Sequence, residues 1–328
     1  MTAATITLVI LVGLNVAIAK ILVPHTSAEK KLTEIRTTRG DCIGLGNSLI
    51  YHAFVPQVFD RAAHNLGVPC TSVNAGLGAS DVLEHLLLLR EALRVNPHPK
   101  LIVYGFFDLQ LSDMLPSGVE DLTLARNLPV YFEPDLAFKY YKTPLSSRLE
   151  LALFRHVPMF VFRGHAYRSV TQLRERLQLI GLPEAEQQPT DRFLALALRP
   201  PIFLKTMDKY GKSEPVIDPT VRELLKEAKN SGARVVVVLV PLAAEHIATY
   251  YQSPQWESYE RLVKSAVLEE GVEYLDASDW EPEASNYVDS VHLNENGSEK
   301  FSVQLANCLF GNDQMKDDDC SAPTSGSR

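Results

Sequence analysis

The chain has 328 residues, of which 46% are hydrophobic and 22% are charged, and its formal net charge at pH 7 is −8. This length and apolar content suffice for one large domain or two modest ones with a sizeable core. The negative charge excludes a general nucleic-acid-binding function, because phosphate recognition needs a basic surface.

The cysteine pattern argues against a metal site. None of the four cysteines stands in a C-x-x-C pair and no histidine cluster has zinc spacing, so we expect no metal and no cofactor. Cys42 and Cys70 lie in apolar segments and are expected to be packed thiols. In an exported protein the even count allows disulfides, and Cys308 with Cys320 is the most local option, which the sequence alone does not assign.

The N-terminal stretch from residue 5 to 19 carries no charge, and counted through Lys20 and the apolar residues after it, it reaches the length that spans a bilayer. We interpret residues 1–24 as a membrane anchor, with the domain that follows it outside the cytoplasm, in the periplasm or at the cell surface. Two alternatives stay open. Residues 17–19 read Ala-Ile-Ala, which resembles a signal-peptide cleavage site and would give a secreted protein, although the basic n-region is missing. The third interpretation is a buried N-terminal helix. Basic residues after the segment favour a cytoplasmic domain by charge alone, but large domains translocate largely regardless of charge.

Further along the chain, short apolar runs alternate with helical patterns. Strands are predicted at 42–45, 70–74, 101–105, 234–240 and 272–275, with helices at 49–66, 81–95, 219–231, 254–270 and 297–309. Ser80 is the expected N-cap of the second helix, and Asp218 the expected N-cap of the third. The alternation predicts a three-layer α/β/α domain over residues 40–311, with a five-stranded parallel sheet covered on both faces.

Two segments break this pattern. Residues 111–217 are rich in arginine and tyrosine, and we interpret them as a largely helical insertion over the catalytic edge, either binding a substrate or partner or serving as a solvated cap. Residues 312–328 are acidic and serine-rich and are expected to be disordered.

Polar residues that could carry chemistry follow the predicted strands. Ser48 follows the first, Gly78 the second, Asp108 the third, and Asp289 and His292 the fifth. Parallel strands end at one sheet edge, where sites form, so these residues are expected to lie together. A serine nucleophile needs a base and a group that orients the base, which His292 and Asp289 can supply, their three-residue spacing placing them on one side of a helical turn. Asp108 is expected to be a structural hydrogen-bond acceptor.

These segments resemble the SGNH (GDSL-like) hydrolase superfamily. Residues 46–48 read Gly-Asn-Ser where that superfamily usually has Gly-Asp-Ser, residues 74–80 are similar to its second block, and residues 289–292 match its Asp-x-x-His. The resemblance implies a flavodoxin-like fold for the five-stranded sheet. It also implies that the Gly78 amide helps to bind the oxyanion, beside the amide of Ser48. The sequence departs from the superfamily pattern at one position. Phe107 stands where the third block has an asparagine that donates to the oxyanion. Asn47 or an arginine of the insertion is the expected substitute.

The layout also resembles membrane-tethered proteins of cell-envelope acylation, of the DltD type and the alginate O-acetylation type. That likeness implies an esterase or O-acyltransferase that forms an acyl-enzyme on an acylated polysaccharide or a small ester, beside a membrane-bound O-acyltransferase. The alternative is a non-catalytic binding or scaffold protein on the same fold, which the loss of the asparagine at Phe107 favours.

Overall fold

The computed structural model describes residues 3–21, 26–78, 80–112 and 215–311, with Cys320 and the single positions 139, 153, 157, 207, 209, 210 and 212. The chain divides into two compact units, residues 1–30 with 116–196 and residues 31–115 with 197–328. The second unit contains the sheet and all the site residues. Most of the insertion predicted at 111–217 and of the tail predicted at 312–328 lies outside the described residues, so both stay predictions.

The N-terminal helix α1 spans Ala3–Ile21. Large apolar side chains along it, such as Leu8 and Ile10, are exposed. Across the part of the chain that the structure describes, no helix has both the length and the apolarity needed to cross a membrane. The membrane anchor or signal segment predicted over residues 1–24 stays a prediction.

Five parallel strands form one sheet in the order β2-β1-β3-β4-β5. The strands are β1 Cys42–Gly46, β2 Ser72–Gly76, β3 Leu101–Phe106, β4 Arg234–Leu239 and β5 Glu273–Asp276. The first three are buried along their whole length, which is typical of parallel strands covered on both faces. This strand order is the flavodoxin-like one, so the predicted three-layer α/β/α architecture is confirmed.

The helices of this unit cover both faces of the sheet. One group consists of α3 Ser48–Ala53, α4 Pro56–Asn65 and the last helix, α9 Glu295–Phe310, which pack on one another. The other group contains α5 Val82–Val95, α6 Pro219–Asn230 and α8 Pro254–Glu269, with α5 against α6 and α8 against β5. The helix α2 spans Ser27–Thr38, and the one-turn α7, Ala244–His246, continues into a π turn over Ile247–Tyr251.

Two predicted helix features are wrong in detail. The single helix predicted over residues 49–66 is two helices, because Pro56 cannot continue α3 and instead begins α4, where its missing N–H costs nothing. The N-cap of α5 is Asp81 rather than Ser80. Asp81 accepts from the Glu84 N–H, and Glu84 accepts from the Asp81 N–H, which forms a capping box. Ser80 is therefore available for other contacts.

The cysteines separate into two kinds. Cys308 at the end of α9 forms a disulfide with Cys320, the most local of the pairings that the sequence allowed. Cys42 is buried and Cys70 is half-buried, and neither is in a disulfide. Burial raises the pKa of both thiols, and the neighbouring Cys70 raises that of Cys42 further, so both are protonated at neutral pH.

Candidate active site

The candidate nucleophile is placed by a helix that lies against the sheet. Ser48 is the first residue of α3, and the Asn47 side chain caps this helix by accepting from the Leu49 N–H at 2.9 Å. The helix can approach the strands because the strand residues that face it, Gly76 and Gly105, have no side chain. A Cβ atom on Gly76 would lie 2.5 Å from the Tyr51 backbone nitrogen, and one on Gly105 would lie 2.2 Å from the Ile50 side chain.

The other end of α3 is fixed by a buried asparagine of β2. The Asn74 Nδ2 group donates to the carbonyl oxygens of Ile50, Tyr51 and Phe54 at 2.7 to 3.1 Å. Its Oδ1 atom accepts from the Gly76 N–H at 2.8 Å. Asn74 thus satisfies the terminal carbonyls of the nucleophile helix and ties that helix to the sheet. The sequence offered Asn74 only as part of a motif, and its partners could not be predicted.

Ser48, His292 and Asp289 form one hydrogen-bonded line. Ser48 Oγ lies 2.9 Å from His292 Nε2, and His292 Nδ1 lies 2.7 Å from Asp289 Oδ2. All three side chains are partly buried, so water has limited access to the line. With Nδ1 donating to the carboxylate, Nε2 is left to accept the Ser48 proton, which is the arrangement that activates a serine.

Asp289 is held by more than the histidine. Its Oδ1 atom accepts from the backbone N–H groups of Val291 and His292 at 2.9 and 2.7 Å. Burial raises the pKa of Asp289, but the hydrogen bonds from the His292 ring and from the two backbone amides outweigh it, so the pKa lies below its ordinary value. Residues 289–292 form a bend rather than the helical turn expected from their spacing, because the carboxylate itself closes the turn.

A second histidine borders the line. His52 lies four residues after Ser48 on α3, and its ring centroid is 5.2 Å from that of His292 in an edge-on arrangement. Burial, and then the neighbouring His292, lower the pKa of His52, and Asp289 partly opposes them. The His52 imidazole beside the base is therefore harder to protonate than an ordinary histidine. The i, i+4 spacing from the candidate serine was the sequence signal for it, and that signal was missed.

The expected oxyanion donors have different surroundings. Gly78 lies two residues beyond β2, in a loop whose Leu77 N–H donates to the Gly46 carbonyl at 3.0 Å. The side-chain oxygen of Asn47, Oδ1, caps α3, so only the Nδ2 group of this side chain is left to donate to an oxyanion. The Phe107 side chain has no donor, and its backbone N–H donates to the Gln110 side chain at 3.3 Å.

Asp108, directly after Phe107, belongs to a buried polar cluster that the sequence did not reveal. Its Oδ1 atom lies 2.9 Å from His246 Nε2 and accepts from the Tyr251 hydroxyl at 3.0 Å, while its N–H donates to the same hydroxyl at 2.9 Å. Asp108 has a φ of 48°, in the left-handed region that aspartate tolerates better than most residues. Tyr251 in turn stacks on Trp256. These contacts agree with the structural role expected for Asp108.

No metal ligand set accompanies the site. Among the described residues, no group of three or more histidine, cysteine, aspartate or glutamate side chains is arranged to hold a metal ion.

Comparisons with known proteins add little to this geometry. No protein-family model and no curated protein sequence matches the chain. Among solved structures, the chain is similar to a candidate acylhydrolase from Bacteroides fragilis and to a GDSL-like lipase from Bacteroides thetaiotaomicron, each at 10% identity and a TM-score of 0.34. The matches cover 82% of this chain and 87% of the first protein, and 86% of this chain and 97% of the second. Likenesses at this level establish neither a family nor an activity, so the functional argument rests on Ser48, His292 and Asp289.

Proposed function

We propose that this chain is a serine-dependent acyl hydrolase of the SGNH type, with Ser48 as nucleophile, His292 as base and Asp289 as the residue that orients it. The continuous line of hydrogen bonds from Asp289 through His292 to Ser48 carries the proposal. Its residues come from the two ends of the domain and meet at the carboxyl edge of a parallel sheet, where sites in such folds form.

The geometry supports a two-step reaction. Ser48 Oγ attacks the carbonyl carbon of an ester while its proton passes to His292 Nε2, and the resulting imidazolium is stabilised by the ionised Asp289. The tetrahedral intermediate collapses, the C–O bond to the leaving group breaks, and His292 returns the proton to the departing alkoxide. Water then attacks the acyl-serine ester through the same base, which releases the carboxylic acid and restores Ser48.

The negative oxygen of the tetrahedral intermediate needs preorganised donors. The proposed donors are the backbone amides of Ser48 and Gly78, with the Nδ2 group of Asn47 as a third. Because Phe107 contributes no side-chain donor, we expect a slow enzyme, since one missing oxyanion donor typically lowers kcat by about 10²–10³-fold.

The finer part of the proposal concerns the substrate. We propose an acylated cell-envelope or extracellular polysaccharide, with transfer to a sugar hydroxyl as the alternative to hydrolysis, and a membrane-bound O-acyltransferase as partner. The layout resemblance described above supports it. The exposed aromatic side chains of Tyr51 and His52 beside Ser48 are also suited to the face of a sugar ring.

The same proposal places the domain outside the cytoplasm, in the periplasm, at the cell surface or secreted. The disulfide between Cys308 and Cys320 supports it, because structural disulfides persist in oxidising compartments and are rare in the cytosol. Alkaline-phosphatase and green-fluorescent-protein fusions to the C-terminus distinguish the two compartments. Fluorescence of the green-fluorescent-protein fusion, with no phosphatase activity of the other fusion, would contradict this placement.

The central test is covalent labelling. We expect a fluorophosphonate probe to label the purified protein and p-nitrophenyl acetate to be hydrolysed, while Ser48→Ala abolishes the labelling and lowers hydrolysis at least about 10³-fold. Ser265→Ala, which alters an exposed serine on α8, is the matched control and should change neither. Absence of labelling and turnover in the parent protein would refute the proposal. Adding an oligosaccharide acceptor and analysing the products separates transfer from hydrolysis.

The second candidate function is a binding or scaffold protein on the same fold, which Phe107 in place of the oxyanion asparagine favours. In that case a Ser48→Ala/His292→Ala double variant would fully complement a deletion strain. Loss of complementation in a variant that is present at parental levels would exclude this candidate.

A further inference from the structure

A second serine and histidine lie in a buried polar chain that the reaction above does not use. The Tyr104 hydroxyl on β3 is 3.1 Å from His85 Nδ1 on α5, and His85 Nε2 is 2.8 Å from Ser80 Oγ. Ser80 Oγ in turn donates to the Leu77 carbonyl at 2.5 Å. All four residues are buried, with exposed fractions from 1% to 8%, so Ser80 cannot reach a substrate.

The direction of the hydrogen bonds at Ser80 is determined by the last member of this chain. The Leu77 carbonyl only accepts, so the single Ser80 proton is used there. Ser80 Oγ therefore accepts from Nε2–H of His85, whose Nδ1 atom lies against the Tyr104 hydroxyl. Burial raises the pKa of Tyr104, which keeps its proton in place. The chain thus connects the central sheet to the loop after β2.

The end of the chain sets the orientation of one peptide unit. The carbonyl of Leu77 and the N–H of Gly78 belong to the same trans peptide, so they point in opposite directions. Because the carbonyl points inward to Ser80, the Gly78 N–H points away from the buried network. On the other side of the residue, the Leu77 N–H donates to the Gly46 carbonyl at the end of β1. Leu77 is therefore held at both its amide and its carbonyl.

We propose that Ser80, His85 and Tyr104 are positioning residues that orient the Gly78 amide for the oxyanion. This inference rests on the proposed function, because it assigns a purpose to that site's own donor. A helix-capping role does not account for Ser80, since Asp81 and Glu84 already cap α5. A buried polar chain is also costly unless its members are fully paired, so an apolar set would suffice if only packing were required.

The test separates orientation from general stability. In Ser80→Ala the Leu77 carbonyl loses its partner, and we expect kcat for p-nitrophenyl acetate to fall about tenfold while KM changes less than twofold. An effect on kcat alone is typical of an interaction made only in the transition state. Ser112→Ala is the matched control, because Ser112 is equally buried and bridges the Val216 carbonyl and Tyr259 instead. It should lower Tm comparably and leave kcat unchanged.

Conservative variants complete the test. Ser80→Thr keeps the hydroxyl and should restore kcat to within about threefold of the parent. His85→Gln keeps a donor near the Nε2 position and should resemble Ser80→Thr. His85→Leu removes that donor and should lower kcat as Ser80→Ala does, so it serves if Ser80→Ala does not fold. A parental kcat in Ser80→Ala, or an equal loss in Ser112→Ala, would overturn the inference while Ser48→Ala still abolished turnover. Full turnover in Ser48→Ala would instead refute the proposed function itself.

Discussion

Replacing Asp289 by asparagine tests whether the carboxylate determines the tautomer of His292. In the parent, Oδ1 accepts two backbone N–H groups, from Val291 and His292, while Oδ2 accepts the ring Nδ1–H at 2.7 Å. Asparagine has only one oxygen. Placing its amide NH2 against two N–H donors would leave three donor groups facing one another, so the oxygen must take the Oδ1 position.

The NH2 group of Asp289→Asn then faces Nδ1 of His292 and donates to it. Nδ1 becomes an acceptor and the ring proton moves to Nε2, the atom that must accept the Ser48 proton. We expect kcat to fall about 10⁴-fold, the loss seen when a triad histidine is held in the wrong tautomer, which corresponds to about 5 kcal/mol of transition-state stabilisation. The free energy of unfolding should change little, because both backbone amides keep their acceptor.

The assay compares kcat for p-nitrophenyl acetate with urea denaturation in Asp289→Asn and Asp289→Ala. The alanine variant leaves the N–H groups of Val291 and His292 without their acceptor, and we expect it to be destabilised by about 1–3 kcal/mol as well as slow. The loss of kcat in Asp289→Asn should persist from pH 6 to 9. It depends on which nitrogen of His292 carries the proton, and not on how many protons the ring carries. A kcat for Asp289→Asn within tenfold of the parent would refute the reasoning.

Three further substitutions test other features of the structure. Burial and the neighbouring His292 lower the pKa of His52, so protonating His52 destabilises the folded state as pH falls below its ordinary pKa. His52→Gln should therefore raise the free energy of unfolding at pH 5 more than at pH 8, measured by urea denaturation with exposed His64→Gln as the control; an equal change at both pH values would contradict this. Burial and a neighbouring carboxylate raise the pKa of Glu260 to about 7, so ionising it destabilises the folded state as pH rises from about 4.5 through 7. Glu260→Gln should therefore gain about 1–2 kcal/mol at pH 8 and nothing at pH 4, measured by urea denaturation, allowing for partial exposure; an equal gain at both pH values would contradict the pKa. Gly76→Ala places a methyl group 2.5 Å from the Tyr51 nitrogen, so α3 must shift and kcat should fall at least about tenfold, whereas an unchanged kcat would show that the close packing is unnecessary.

The sheet was predictable because its signals are local. The run over Arg234–Leu239 contains four consecutive valines, which indicate a strand buried on both faces, and glycine and proline mark the helix ends around it. The parallel arrangement of the strands followed from the alternation of strand and helix, whereas the strand order did not. Boundaries shifted by one or two residues where burial rather than composition decides them, as at β2, which was predicted over 70–74 and runs over Ser72–Gly76.

The site was predictable only in its reacting groups. Ser48 and His292 follow strands of one sheet, so counting strands brought them together. Their supports were not predictable, because each pairs with residues far along the chain. Asn74 binds the end of α3 more than 20 positions away, and His246 meets Asp108 across 138 positions. No periodicity or capping rule connects such partners. The turn at Asp289 escaped prediction for another reason, since its carboxylate replaces the helical hydrogen bonds that the spacing suggested.

The departure at Phe107 gives these supports a common purpose. An asparagine at that position would supply a side-chain donor that can adjust its rotamer to the oxyanion. A backbone amide has no such freedom, so its contribution depends on how firmly its peptide unit is held. In the proposed mechanism, which has no side-chain donor at Phe107, the oxyanion is bound by the amides of Ser48 and Gly78. The first is fixed by the capped helix α3, and the second by the buried chain that ends at Leu77. Rigid placement of two amides is thus the physical compensation open to this fold, and it makes Ser80 as informative a position to mutate as Ser48.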